Sequence, residues 1–263
     1  MIGAMLRELL TSLFVRCPPA LAAQGYRYAA VACIARARRC APAWAPHQHN
    51  SRQAIIDMLP AVPPGAHTAV IFGSGPCLDV PVEALLERFD RLMLVDVAHP
   101  LAARRLARRY GGVELVTAEL TGTATFLRRP TGERPPHPYA DLGADWSGVG
   151  LVVSLNLISQ LPLVPLRLAH RQWSRLDLGP FARAIIRAHL DHLRRFRCPA
   201  LVIGDVERRV LDGQGRVTQM EDPLYGVSLP PGREWDWTVA PVGELSGGWS
   251  IINRVRSVRV DRS

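Results

Sequence analysis

The residues with chemical potential begin at Val70, in the run V-I-F-G-S-G-P-C-L-D that ends at Asp79. Gly73 and Gly75 let the backbone reverse sharply and remove the Cβ atoms that would keep a ligand at a distance, with Ser74 between them. Asp96 lies 21 positions beyond Gly75, next to Val97. A carboxylate at the end of the strand after a glycine turn can accept both hydroxyl hydrogens of a ribose; its bland use is to cap the strand end. Asn156, Ser159 and Gln160 form a third group. Polar side chains just past a parallel strand point into the crevice where such sheets bind ligands, or else cap the next helix. A fourth group, His47-Gln48-His49-Asn50-Ser51-Arg52, precedes the first strand. His47 and Arg52 there could orient a substrate and His49 could serve as a base, whereas loop histidines more often only face solvent.

These groups need a frame, and the apolar pattern supplies one. Thr68–Phe72, Leu92–Val95, Val113–Thr117, Val149–Leu155 and Ala200–Gly204 are short apolar runs alternating with helical stretches. That alternation predicts a parallel sheet covered on both faces. Asp96 and Asn156 close the second and fourth of these strands, Glu119 follows the third, and Asp205 and Glu207 follow the fifth. The amphipathic spacing over Phe181–Phe196 predicts a long helix. After it, Asp212-Gly213-Gln214-Gly215 marks a hairpin between two short strands within Val210–Thr218. Glu234–Val239 and Trp249–Val260 read as long strands with no helix between them. Upstream, helical spacing covers residues 4–16 and Gly25–Arg39, Ala41–Asn50 reads as a Pro- and His-rich loop, and Ser51 caps a short helix. Residues 1–65 thus form a helical cap and residues 66–263 the sheet domain. The expected fold class is α/β: a three-layer sandwich with a mostly parallel seven-stranded sheet and an antiparallel C-terminal hairpin.

Composition narrows the partners. The net charge is +9, and all 32 basic residues are arginine. They occur as scattered pairs such as Arg104-Arg105 and Arg208-Arg209, which reads as solvated surface under compositional bias ahead of a phosphate-binding tract. Five cysteines without a CxxC pair argue against a disulfide framework or zinc ribbon and suit a reducing compartment. The apolar run Leu9–Val15 is short and interrupted by charge, unlike a secretory signal, and no stretch of about 18 apolar residues marks a membrane span. The expected setting is the cytoplasm. His189 and His192 lie three apart on a predicted helix with no third ligand in view, so they read as surface or partly packed residues and no metal is expected. Trp235 and Trp237 share one strand face, where packing against a helix is the ordinary use and stacking on a substrate the special one.

Residues 68–119, the fourth strand and the C-terminal hairpin together resemble the class I S-adenosylmethionine-dependent methyltransferases. The resemblance implies that Gly73, Ser74 and Gly75 cradle the amino-acid part of S-adenosylmethionine. By the same likeness Asp96, with Val97, holds the ribose, Glu119 sits beside the adenine, and Asn156 faces the methyl group and acceptor. The match covers about residues 66–260 at the level of element order. It departs from the family motif at Ile71, where an acidic residue is usual, and at Cys77, which replaces the third glycine. The region after the fourth strand also lacks the Asn/Asp-Pro-Pro-aromatic signature of amino-methylating nucleic-acid enzymes. Methyl transfer asks mainly for positioning and desolvation, since the sulfonium is already an activated donor. The leading expectation is therefore methylation of a small or medium-sized acceptor. A non-catalytic cofactor-binding relative and an RNA- or DNA-modifying enzyme stand as alternatives; an NAD(P) oxidoreductase fits less well because Leu78 occupies the place of its third glycine.

Overall fold

The computed structural model describes residues 11–129, 132–138, 146 and 148–260. The predicted helix over residues 4–16 begins outside the described residues. Three helices precede the sheet: α1 (Pro19–Ala23), α2 (Tyr26–Arg39) and α3 (Ala41–Ile56). The sheet domain then runs β1 (Thr68–Phe72), α4 (Val82–Arg88), β2 (Arg91–Asp96), α5 (Leu101–Arg109), β3 (Val113–Thr117), α6 (Ala124–Arg128), β4 (Val149–Leu155), α7 (Leu163–Gln172), α8 (Gly179–Arg194), β5 (Ala200–Leu211), β6 (Val217–Glu221), β7 (Arg233–Ala240) and β8 (Ser250–Val260).

Strand order is β3-β2-β1-β4-β5-β8-β7, with β6 pairing only with β5. β1 to β5 are mutually parallel, and β8 runs antiparallel between β5 and β7. This is the expected Rossmann-like sandwich with an antiparallel edge, and the order reverses between β1 and β4. Side chains alternate as a doubly covered sheet requires. Ile71, Leu94, Val153 and Ile203 pack on one side with α4 and α5, while Phe72, Val95 and Val152 pack on the other with α8.

Two local expectations are corrected. Residues 200–211 form one strand of 12 residues, so β5 carries on through Asp205 and, after a bulge between Asp205 and Glu207, supplies the first arm of the β6 hairpin. The sheet accordingly has eight strands, seven of them on the main path. Upstream, Ala41–Asn50 is no loop, and Ser51 does not cap a new helix. Both belong to α3, which contains Pro46 and buries Ser51. Proline near the helix start forfeits few hydrogen bonds, and packing outweighs the loss of the one to Pro42. Trp44 donates its indole N–H to Val239 O at 3.0 Å and meets the Trp237 ring edge-on at 4.9 Å. Pro46 itself is exposed. Pro46→Ala should therefore restore one backbone bond at no packing cost and raise stability by about 1–2 kcal/mol. A thermal melt checks this, and an unchanged or lower midpoint would show that the ring is needed where it stands.

The helices that precede β1 are tied to the far end of the sheet. Arg39 makes a two-pronged bond to Glu244, with Nη2–Oε1 at 2.7 Å and Nε–Oε2 at 3.0 Å, and Arg233 on β7 reaches Asn50 at 3.1 Å. On the exposed side of the β7–β8 edge, arginines and carboxylates interleave. Arg254 and Arg209 share Asp236, and Arg256 pairs with Glu234. Among the described residues no helix is long and apolar enough to cross a membrane.

Candidate functional site

The carboxyl ends of β1 to β4 open into a cleft of about 210 Å³, roofed by α2 and α3. It lies where the strand order reverses, the place at which open α/β sheets bind ligands.

The glycine turn forms its floor. Gly73 has φ +79°, and a Cβ there would sit 2.8 Å from Leu155 O and 2.9 Å from Leu157 Cβ, so the position admits only glycine. Gly75 is also left-handed, at φ +47°, yet a Cβ built on it meets nothing within 4 Å. Gly75 itself lines the cleft. Cys77, where the resemblance places a third glycine, keeps a left-handed φ of 58° despite its side chain. The turn thus holds its shape through the substitution. Ser74 lines the cleft with its hydroxyl buried and without a hydrogen-bond partner.

Asp96 at the end of β2 accepts the Gly75 N–H on Oδ2 at 2.8 Å and the Ala98 N–H on Oδ1 at 3.3 Å. Burial raises its pKa and these two bonds oppose the rise. A carboxylate has about four lone-pair sites, so each oxygen keeps capacity for a hydroxyl donor. Val97 lies beside it on the cleft wall. Glu119 also lines the cleft, but its oxygens are heavily engaged. Thr121 donates to Oε1 from its N–H at 2.8 Å and from its hydroxyl at 2.6 Å, and the Ala124 N–H reaches Oε2 at 3.2 Å. Those bonds order the loop that starts α6.

The structure draws together His47, Asn156 and Gln160 and leaves three other candidates elsewhere. Asn156 adopts φ 50°, a conformation asparagine tolerates better than most residues. Gln160 donates to Asn156 O at 2.7 Å, at the cleft rim. His47 is buried on the roof, stacked on Trp237 with ring centres 4.1 Å apart. His49 is exposed and off the cleft wall. Arg52 reaches the Leu78 carbonyl, and Ser159 donates to buried Asp205 at 2.8 Å. Neither lines the cleft. Helical geometry explains the first separation: two residues apart on α3, His47 and His49 face different ways.

Sequence reasoning gave no role to Asp79, Tyr26 or Trp44, all on the cleft wall. Asp79 closed the quoted glycine run, and a carboxylate four residues beyond Gly75 on one tight turn was the available signal. Its side chain accepts from Asn156 Nδ2 at 2.7 Å, and burial pushes its pKa up to about 6. Trp235 and Trp237 do share a face, and both meet His47. His189 and His192 are buried against the sheet, contrary to the surface or partly packed placement expected, and His189 bonds Ser154 at 2.9 Å. They sit on the face of α8 that covers Phe72.

No protein-family model and no curated protein matches the chain. Among solved structures it is similar to a 1,6-didemethyltoxoflavin-N1-methyltransferase from Burkholderia thailandensis, solved with 1,6-didemethyltoxoflavin and S-adenosylhomocysteine. That likeness has 15% identity and a TM-score of 0.36, over 81% of this chain and 78% of the other. It is also similar to an amino pentose methyltransferase of calicheamicin biosynthesis from Micromonospora echinaspora, solved with S-adenosylmethionine. There the identity is 16% and the TM-score 0.31, over 80% of this chain and 91% of the other. Likeness at this level bears on neither ligand nor reaction.

Proposed function

We propose that this protein is an S-adenosylmethionine-dependent methyltransferase acting on a small or medium-sized acceptor. The observation that carries the reading is the cleft at the β1/β4 reversal, with its glycine floor on one side and the Asp96 carboxylate on the other. The residues fit the group. The open face of Gly75 leaves room for the amino-acid end, and the unpartnered Ser74 hydroxyl is a ready contact for it. Asp96 keeps free lone pairs for the ribose, Val97 flanks it, and Glu119 borders the adenine end. When bound, S-adenosylmethionine would supply a methyl group activated by its sulfonium. The protein's own part is to hold the two reactants in line and to exclude water. Asn156, Gln160 and His47 line the same cleft, where the acceptor would sit beneath residues 11–65 as a cap. Roofing by two helices favours a compact acceptor over a polymer, and the pairing of edge arginines with carboxylates supports reading the charge as structural.

The test is calorimetric titration with S-adenosylhomocysteine, with NADH and NADPH alongside. Micromolar binding of the first alone is the expected result; binding of none would remove the cofactor assignment. A second reading rests on Ile71, apolar where the family carries an acid: a protein that binds the cofactor without turning it over. Methyl transfer to any member of a broad acceptor panel would eliminate that reading.

A further inference from the structure

The roof and floor of the cleft are joined by four side chains whose protons cannot all be placed if each is in its ordinary state. Trp235 Nε1–H donates to His47 Nδ1 at 3.0 Å. An indole nitrogen only donates, so His47 Nδ1 is the acceptor and a neutral ring carries its proton on Nε2. His47 does stay neutral, because burial holds its pKa down to about 3. Its Nε2–H then faces the Asn156 amide nitrogen at 3.0 Å, donor against donor. The same amide nitrogen lies 2.7 Å from Asp79 Oδ2, while Asn156 Oδ1 is buried without a partner.

Amide oxygen and nitrogen exchange places by a half-turn of the side chain. With the amide turned over, Oδ1 accepts from His47 Nε2–H, and the 2.7 Å contact becomes oxygen to oxygen. Two oxygens at that distance need a proton between them, which only Asp79 can supply. This arrangement ends the donor clash and the orphaned oxygen together, leaving the amide NH2 as the unpaired group. Ionising Asp79 reverses it and costs His47 its acceptor, a reason beyond burial for the proton to stay.

We propose that Asp79 is a proton-carrying ligand contact of the cleft, protonated under mildly acidic conditions before ligand binds, which gives up its proton to hold an ammonium group as the Asn156 amide turns over. Among the described residues no cation lies within ion-pair distance of Asp79, although its carboxyl lines the cleft wall. The charged and titratable groups around it are accounted for. From α3 come Arg52, whose guanidinium favours ionisation, and neutral His47. Cys33 comes from α2 and Cys77 from the same turn, both thiols pushed up by burial and so uncharged near neutral pH. Asp96, at the end of β2, lines the same cleft. An ammonium ion is the group that such a carboxylate accepts, and the inference rests on the cofactor reading for the source of that ammonium, the amino-acid end cradled by the glycine turn.

The sign follows directly. A cation that binds only the ionised carboxylate must displace a proton below pH 6 and none well above it, so affinity falls as pH falls. Binding of S-adenosylhomocysteine should weaken by roughly tenfold from pH 7 to pH 5. Calorimetry at pH 5.5 in two buffers of different ionisation enthalpy should register about half a proton or more released per ligand bound, and none at pH 8. In Asp79→Asn both the release and the pH dependence should vanish, with folding verified by its melting point. Binding at pH 5.5 without proton release overturns the inference. If S-adenosylhomocysteine does not bind at any pH, the cofactor reading fails, and NMR of the ligand-free protein decides the rest. A ¹³C carboxyl titration of Asp79 centred near pH 6, with ¹⁵N shifts placing the His47 proton on Nε2, supports the proton assignment. A midpoint in the ordinary carboxylate range, or a proton on Nδ1, refutes it.

Discussion

Asp96→Ala is expected to lower the affinity for S-adenosylhomocysteine by at least about 100-fold, the loss of two hydrogen bonds to a charged acceptor. The same carboxylate holds the Gly75 and Ala98 amides, so truncation also strands two backbone donors. That should cost about 2–4 kcal/mol and lower Tm by roughly 5–10 °C, leaving a folded protein at room temperature. Calorimetry and a circular-dichroism melt separate the two effects. Unchanged affinity in the folded variant would mean that the carboxylate serves only to brace the turn, and the ribose assignment would fall.

The other large effect is expected at Gly73. Alanine there must adopt a left-handed conformation and press its methyl against Leu155 O and Leu157 Cβ, at 2.8 and 2.9 Å. Backbone contacts of this kind cannot be relieved by a rotamer change. The combined cost is about 3–4 kcal/mol, read from the shift of a urea midpoint. Gly75→Ala gives the contrast. Its methyl meets nothing within 4 Å of the protein, so the cost is the backbone strain alone, roughly 1 kcal/mol, while ligand affinity drops because the methyl stands on the cleft floor. Similar destabilisation at both positions would contradict the difference in their surroundings.

The central strands were legible because burial on both faces leaves a plain mark: Thr68–Phe72 is apolar after its first residue, and Val149–Leu155 is broken by no polar residue but Ser154. The first ten residues of α3, Ala41–Asn50, were not legible as helix, because they carry two prolines and the helix shows little amphipathic contrast. What makes it a helix is Trp44 and His47 seated on β7, a contact separated by nearly the whole sheet domain. β5 was cut short for a related reason. Its residues beyond Asp205 are only half-buried, with Glu207, Arg208 and Arg209 charged, and their extended form comes from pairing with β8. In the cleft, the residues on the glycine turn and at strand ends could be placed by counting. Asp79 could be counted too, yet its proximity to Asn156 depends on left-handed backbone at both Cys77 and Asn156, and for Cys77 propensity gives no such expectation.

The order of the edge strands has a consequence for how the cleft is completed. β8 follows β7 in the chain but lies between it and β5. β7 therefore has no neighbour to join until β8 has been made and has docked. The indole and carbonyl that seat α3 are on β7, so this helix must wait for a strand 195 residues further along the chain to emerge from the ribosome. The nascent protein can assemble β1 to β4 and the glycine turn early, with the chamber still unroofed. Closure of the chamber is then a late, long-range event, and slow by the same entropy of loop closure that penalises distant contacts in any chain.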